Sequence, residues 1–256
     1  MILLMKFAIL GSGSSANSFF FKGAHGSFLI DCGFSLSQWE MRMSEIDESP
    51  DSVQYILLTH IHSDHTKGLT KVSCKYELPV YVEAGVPDLT LYERREFHLK
   101  KDFVVNGVRF YPFPTYHDAV NSAGFHFDLD GTRFTVITDT GILNETMFRA
   151  ALKSDILLLE TNYCEEKLPI CRYPDFLKQR IGGTYGHLSN QTSFRFLKDL
   201  KNHPECRLKQ VYLCHLSAES NSEEAVTTCF APLADEKIKI TVCPKNKLIK
   251  GVSCYD

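Results

Sequence analysis

Seven residues, Thr59-His60-Ile61-His62-Ser63-Asp64-His65, constrain this chain more than any other stretch. They follow an apolar run, Val53 to Leu58, that reads as a buried strand. Three imidazoles and a carboxylate at the end of a buried strand are costly to desolvate unless they bind something. If the chain leaves the strand extended, residues two apart point the same way, so His60, His62 and Asp64 share one side. His65 breaks that alternation. Ser63 or Asp64 can N-cap a helix running through Thr66 to Cys74, and the turn would swing His65 back toward the same space. Imidazole and carboxylate together suit zinc, manganese or iron better than calcium or magnesium. The alternative, a polar loop that happens to carry histidines, leaves the spacing unexplained.

The rest of the chain supplies strands to hold such a site. Phe7–Leu10, Ser18–Phe21, Ser27–Asp31, Val80–Glu83, Val108–Phe113, Ala123–Leu129, Phe134–Thr138 and Ile156–Glu160 are short apolar or alternating runs. Asp130-Gly131 is a hairpin signal between two of them. Leu36 to Ile46 has helical spacing, with Trp39, Met43 and Ile46 as a core-facing stripe. Further helices are predicted over Asn144–Lys153, Asp175–Arg180, Asn190–Leu200 and Ser222–Leu233, and late strands over Val211–Leu213 and Lys239–Val242. His60, His117, Asp139 and His215 each follow a predicted strand, which suits ligands held by a rigid scaffold. The order of elements fits an α/β or α+β protein with sheets packed together and helices outside.

Composition sets further bounds. The chain has 256 residues, 44% of them hydrophobic, and no linker or repeat divides it, so residues 1–256 are expected to form one domain. The apolar opening Met1–Leu10 is interrupted by Lys6 and is too short to span a bilayer. It is read as a buried first strand, with no membrane association. Nine cysteines without a CxxC pair point to reduced thiols in a cytoplasmic protein, with Cys32 and Cys214 as small core residues. A net charge of −3 gives no global basic signature for nucleic acid. Bound divalent cations would add local positive charge that this sum omits.

The run at 60–65 has the HxHxDH pattern, and in this the chain resembles the metallo-β-lactamase superfamily. Gly11-Ser12-Gly13-Ser14-Ser15-Ala16-Asn17, Tyr116-His117-Asp118-Ala119, Thr138-Asp139-Thr140-Gly141, Glu160-Thr161-Asn162, Gly186-His187-Leu188-Ser189-Asn190 and His215-Leu216-Ser217 follow in order. They resemble the motifs of its YycJ (WalJ) family. The resemblance implies an αββα four-layer sandwich and two divalent metal ions, zinc or manganese, or else iron. His60, His62 and His117 would hold the first ion, and Asp64, His65 and His215 the second, with Asp139 bridging. Such a pair can share a hydroxide, lower the pKa of bound water to roughly 7 and clamp a phosphoryl group. The implied activity is a phosphodiesterase acting on DNA as a 5′-to-3′ exonuclease, with Asp64 and His187 catalytic. His187 resembles the catalytic histidine of related nucleases such as RNase Z; the alternative is a histidine packed structurally beneath the metals.

The residues around His187 carry the remaining expectations. Ser189 or Asn190 could cap the next helix, whose free N–H groups would suit a phosphate. Glu160 needs a partner if buried, either a site histidine or a structural salt bridge. Asp118 is either an acceptor that fixes the His117 imidazole or a turn cap. Lys167, Arg172, Lys178 and Arg180, interleaved with Tyr163, Tyr173, Phe176 and Tyr185, are expected to flank an open groove, or else to form a solvated helix face. The Gly11–Asn17 run lacks the lysine and helix of a P-loop and reads as a tight turn near the metals. Ala16 stands where the family usually has glycine. Ile61 replaces a common glutamate, and Tyr163-Cys164 departs from a frequent His-Asp. His25, His98, His126 and His203 match no ligand motif. Three functions remain: DNA hydrolysis, hydrolysis of a small phosphodiester or thioester in a closed pocket, and a metal-stabilised regulatory protein without turnover. All seven ligand candidates are present, which argues against the last. DNA is the expected partner, and no obligate protein partner is inferred.

Overall fold

Strands buried on both faces read as continuous apolar runs rather than alternating ones, and the computed structural model, which describes residues 5–235 and 237–251, is built on such strands. Met1–Leu4 of the apolar opening lie outside the described residues. The first sheet holds β1 (Lys6–Gly11), β2 (Ser18–Gly23), β3 (Gly26–Ile30), β4 (Val53–Leu57), β5 (Pro79–Glu83) and β6 (Glu93–Phe97) side by side, with β14 (Ile249–Lys250) on the outer edge of β1. The second runs from β7 (Phe103–Val105) through β8 (Val108–Pro114), β9 (Ala123–Leu129), β10 (Thr132–Ile137), β11 (Ile156–Glu160) and β12 (Gln210–Cys214) to β13 (Lys239–Val242).

The two sheets face each other across an aromatic core. Phe7, Phe21 and Phe28 from the first sheet meet Phe134, Phe127 and Phe110 from the second in edge-to-face pairs, with centroids 5.2, 5.0 and 5.3 Å apart. That geometry sets the positive edge of one ring against the negative face of the next. The opposite face of the first sheet buries Leu10, Phe20, Leu29 and Ile56 against Trp39 and Met43 of α1 (Leu36–Glu45) and Val72 of α3 (Leu69–Tyr76). The far face of the second sheet packs under α4 (Glu145–Leu152), α6 (Asn190–Asn202) and α7 (Glu223–Phe230). The layers are therefore helix, sheet, sheet, helix, the αββα sandwich that the family resemblance implied.

Strand direction decides where the ligands go. β3, β4, β5 and β6 are mutually parallel, as are β10, β11, β12 and β13. β8 is antiparallel to β9, which is antiparallel to β10, so β8 runs the same way as β10. All these strands end at one edge of the sandwich, where Glu160 closes β11 and Asp31, Thr59–His60, His117, Asp139 and His215 follow their strands. The register fixes neighbours: Ile137 lies beside Leu159, and Glu160 beside Cys214.

Local differences from the sequence reading have simple causes. The helix predicted from Thr66 to Cys74 is broken into α2 (Ser63–Thr66) and α3. His62, not Ser63 or Asp64, occupies the N-cap, without a side-chain cap bond. The break is at Gly68, whose N–H bonds Cys32 O at 3.0 Å and where a Cβ would lie 1.9 Å from Phe34 O. β6, β7 and β14 have no counterpart in the sequence reading: β6 reads Glu-Arg-Arg-Glu-Phe, a charged strand, and the other two are very short. Such strands suit positions near sheet edges, where charge discourages pairing with other chains. The Asp130-Gly131 turn has φ of 52° and 85°, the positive pair a tight hairpin requires.

His126 tests the packing of α4 on the second sheet. Its Nδ1 lies 2.8 Å from Thr135 Oγ1, which is 2.6 Å from Ser154 Oγ at the end of α4. Burial, then Arg133 and Lys153, push its pKa from 6.5 down to about 4. The folded state thus binds fewer protons than the unfolded chain between these values. This contribution to stability is full above about pH 6.5 and lost as the pH falls toward 4. Urea denaturation across pH 7 to 4 should show a fall in stability that His126→Gln reduces; an unchanged pH profile would remove this role.

Candidate metal centre

The site is assembled by backbone geometry before any side chain is considered. Asp31, Asp139 and His215 have φ of 63°, 56° and 61°, a left-handed conformation uncommon for residues other than glycine. Each sits just past a strand end, and the turn redirects its side chain into one cluster. Gly33 lets two loops close on that cluster. Its N–H bonds Asn17 O at 2.9 Å, Asn17 N–H bonds Asp64 O at 2.7 Å, and a Cβ at Gly33 would lie 1.8 Å from Asp64 O.

All seven residues singled out as metal ligands converge. His60, His62 and His117 form one group, Asp64, His65 and His215 a second, and Asp139 joins His60 and His65; within each group the donor atoms lie within 4.8 Å of one another. His117 Nε2 is 3.1 Å from His62 Nδ1. His65 Nε2 is 3.4 Å from Asp64 Oδ2 and 3.3 Å from Asp139 Oδ2. His215 Nε2 is 3.6 Å from Asp64 Oδ2 and 3.4 Å from Asp139 Oδ1. Ligand atoms ~2.1 Å from a tetrahedral ion are ~3.4 Å apart, so these spacings fit a divalent metal ion such as zinc.

Two further observations test the fit. His60 Nε2, His215 Nε2 and Asp139 Oδ2 are buried without a hydrogen-bond partner, a state that a coordinated cation relieves. The opposite nitrogens are engaged. His65 Nδ1–H donates to Asp31 at 2.7 Å, His117 Nδ1–H to Gly186 O at 3.0 Å and His215 Nδ1–H to Glu160 at 3.2 Å. His60 Nδ1–H reaches Thr59 Oγ1 at 3.0 Å, and that hydroxyl donates to Asp31 at 2.8 Å. Each bond fixes the tautomer and aims the other nitrogen's lone pair at the centre. Asp31 thereby steers His65 directly and His60 through Thr59. Sequence reasoning gave it no role, although its place at a strand end, like that of Glu160, was a usable signal.

The electrostatics point the same way. Burial opposes charge on Asp139 and Asp64, but His215 and His65 outweigh it and hold both carboxyls well below the usual range. Burial likewise opposes the charged forms of His65 and His215. Asp31 and Asp139 raise the first, and Asp139, Asp64 and Glu160 the second, well above the ordinary imidazole value. The carboxylates demand positive charge, from protons on these rings or from a cation.

The site opens into a cleft of about 360 Å3 lined by Asp64, His117, Asp139, His187 and His215, with Tyr173, Leu177, Arg180 and Ile181 on one wall. His187 Nδ1 lies 2.6 Å from Glu160 Oε1 and its side chain is 18% exposed to the cleft. Glu160 is fully buried and also accepts Thr140 N–H at 2.9 Å, so it orients His187 and His215 together. Asp118 lies 3.5 Å from His117 Nε2 and pairs with Arg180 at the rim.

Other expected contacts fall elsewhere. Ser189 caps α6 by accepting Thr192 N–H at 3.0 Å, and Asn190 is buried against Asn221 at 2.8 Å. The N–H groups of Asn190 and Gln191 bond Tyr163 O and Glu165 Oε1, so this helix start is already satisfied and holds no phosphate site. Lys178 turns to Pro169 O and Lys167 to Ser222 Oγ, and Arg172 does not line the cleft; of the four cations, Arg180 alone does. Asn17, from the glycine–serine run, does more than complete a turn. It is buried, its Oδ1 accepts Gly13 N–H at 2.8 Å, and its Nδ2 donates to Asp64 Oδ2 at 3.0 Å.

The same fold recurs in known proteins. Residues 27–216 match a beta-lactamase superfamily domain. Exodeoxyribonuclease WalJ of Streptococcus pneumoniae is 32% identical over 232 residues, 86% of this chain and 84% of that protein. Exodeoxyribonuclease YycJ of Bacillus anthracis is 27% identical over 241 residues, 91% of this chain and 90% of that protein. The metallo-beta-lactamase fold protein YhfI of Bacillus subtilis superposes with a TM-score of 0.73 at 13% identity, over 96% of this chain and 99% of that one, a likeness of fold. The chain belongs to the metallo-β-lactamase superfamily, within its YycJ (WalJ) family. Among the described residues no helix is long and apolar enough to cross a membrane.

Asp31 supplies a test of this centre. Asp31→Ala removes the acceptor that orients His65 and, through Thr59, His60. Metal affinity should fall roughly 10- to 100-fold, the usual cost of losing such a partner. Competition with a chromophoric chelator measures it; wild-type affinity would show that the carboxylate serves packing alone.

Proposed function

We propose that the protein is a metal-dependent exodeoxyribonuclease that removes nucleotides from DNA ends, with residues 1–256 acting as one domain around a shared core. The observation that carries this reading is the Glu160–His187 pair beside seven converging ligand side chains, in a chain whose relatives are named exodeoxyribonucleases. The 5′-to-3′ direction is what the family resemblance implies.

His60, His62 and His117 would hold one cation, Asp64, His65 and His215 another, with Asp139 shared between them. Bound divalent cations, zinc or manganese, supply Lewis acidity toward phosphoryl oxygens and lower the pKa of water to about 7. The remaining chemistry belongs to the side chains. Asp64, its Oδ2 held by Asn17, orients the attacking water, whose proton passes to solvent. Attack forms a P–O bond to that water and breaks the bond to the leaving oxygen. His187 donates Nδ1–H to Glu160, which leaves Nε2 for the cleft. Protonated, that nitrogen delivers a proton to the departing oxygen. Arg180 at the rim contacts a substrate phosphate, and Tyr173, Leu177 and Ile181 offer an apolar wall to a base or sugar.

A small phosphodiester is the second reading, favoured by one observation: about 360 Å3 lies within the usual range for small-ligand pockets. Metal-loaded protein given 5′- and 3′-end-labelled DNA, RNA and bis-p-nitrophenyl phosphate separates the two. DNA shortened stepwise from one end supports the nuclease; turnover of the small diester alone overturns it.

His187→Ala should keep metal stoichiometry and lose roughly 10²- to 10⁴-fold in rate on DNA, the range for a positioned acid. Unchanged turnover would mark His187 as structural.

A further inference from the structure

The cations expected beside the metals are mostly engaged elsewhere, and a different part of the surface gathers positive charge. A hollow of about 420 Å3 opens on the outer face of the second sheet, beside α4. One wall is the sheet. Arg109 on β8, Asp128 on β9 and Arg133 on β10 lie in one cross-strand row, and Tyr111, His126 and Thr135 in the next. The other wall is the stripe Thr146, Arg149, Ala150 and Lys153 of α4 and its C-cap. Those positions have the i, i+3, i+4, i+7 spacing that puts side chains on one helix face. Arg109, Arg133, Arg149 and Lys153 therefore converge on one space from two elements.

The acidic groups nearby offset them only in part: three carboxylates stand against four cations. Asp102 is 3.6 Å from Arg109, Asp128 is 3.5 Å from Arg133, and Glu145 pairs with Arg149 at 2.6 Å. These pairs are half exposed and accordingly weak. Lys153 has no carboxylate within ion-pair distance among the described residues. His126 forms the floor. Ser154 Oγ–H donates to Ala150 O at 2.9 Å, so the hydroxyl of Thr135 donates to Ser154 Oγ at 2.6 Å. His126 must then donate Nδ1–H to Thr135.

The hollow also has a fixed relation to the metal centre. β10 carries Arg133 at one end and leads to Asp139 at the other, and β8 runs from Arg109 up to His117. Six residues of strand at ~3.3 Å each place Arg133 up to ~20 Å from the centre. That span corresponds to about six nucleotides at ~3.4 Å per step.

We propose that this hollow is a second anion site, which holds a backbone phosphate of the DNA strand whose end lies in the metal centre. The assignment rests on the exonuclease reading for its ligand. Its chemistry is that of a phosphoryl anion between guanidinium groups and an ammonium, and it contributes affinity and grip on the strand, not catalysis.

The test uses metal-loaded protein and nuclease-resistant phosphorothioate DNA, a 20-mer and a 4-mer, with fluorescence anisotropy across a salt series. Arg133→Gln/Lys153→Gln is compared with Lys71→Gln/Lys198→Gln, which removes the same charge from exposed positions elsewhere. The first variant should bind the 20-mer roughly tenfold or more weakly, and its salt slope should fall by about 0.7–0.9 for each phosphate no longer neutralised. Binding of the 4-mer and turnover of bis-p-nitrophenyl phosphate should match wild type, which also certifies folding. Equal losses in both variants, or no loss in either while ordinary DNA is still degraded, overturns the inference and leaves the exonuclease reading intact. Wild-type protein that neither binds nor degrades DNA overturns both. Calorimetry with inorganic phosphate adds a last arm: phosphate binding abolished in the variant, with DNA affinity unchanged, would reassign the hollow to a free anion and overturn the strand assignment.

Discussion

Four carboxylates, Asp31, Asp64, Asp139 and Glu160, meet six histidines in the rim of this sandwich, and their need for positive charge governs the site. A buried carboxylate without a partner would cost several kcal/mol in desolvation. Here each one is matched. Asp31 and Glu160 take the far nitrogens of the rings. Asp64 and Asp139 face the near nitrogens across gaps of 3.3–3.6 Å, which a divalent ion fits. The arrangement is a cage held by carboxylates outside and completed by a cation inside. It also explains why His60 Nε2 and Asp139 Oδ2 can stay buried without a protein partner.

The backbone bears the strain that this cage requires. Three left-handed residues stand at strand ends, where the core clamps the strands behind them. The aromatic layer between the sheets supplies that clamp. Phe21 touches Phe28 in its own sheet and Phe127 and Phe134 in the other, so the two halves of the site are set against each other by rings, not by loops. Catalysis and packing are thus linked through strand ends. A change in the inter-sheet core would move His60 relative to Asp139 before it touched either.

Charge is distributed in two tiers. Inside the cleft Arg180 is the sole cation of its segment to reach the wall, and it leans on Asp118, which in turn faces His62 and His117. Outside, Arg109, Arg133, Arg149 and Lys153 collect on the second sheet and α4. An acidic protein can still handle a polyanion when its positive charge is concentrated in this way, because screening leaves a local patch effective within about a Debye length.

Much of this was legible in the chain. The strands were readable because burial on both faces leaves uninterrupted apolar runs; His60, His62, Asp64 and His65 stood out by their spacing, and the full set of seven ligand candidates came from the family resemblance. The Asp-Gly turn followed from its own φ requirement. Tertiary structure alone decided the rest. Asn17 reaches Asp64 because Gly33 lets distant loops touch, and Asp31 reaches His65 only across the fold; one sequence does not announce which residues lie across such contacts. Ser189 caps its helix as expected, whereas Asn190, Lys167 and Lys178 are engaged by Asn221, Ser222 and Pro169 and not by the cleft. The hollow beside α4 joins four cations spread between Arg109 and Lys153, which only strand register and helix docking bring together. Local chemistry writes ligands and turns into the sequence; which polar groups remain free is settled by packing, since every donor takes the nearest acceptor the fold provides.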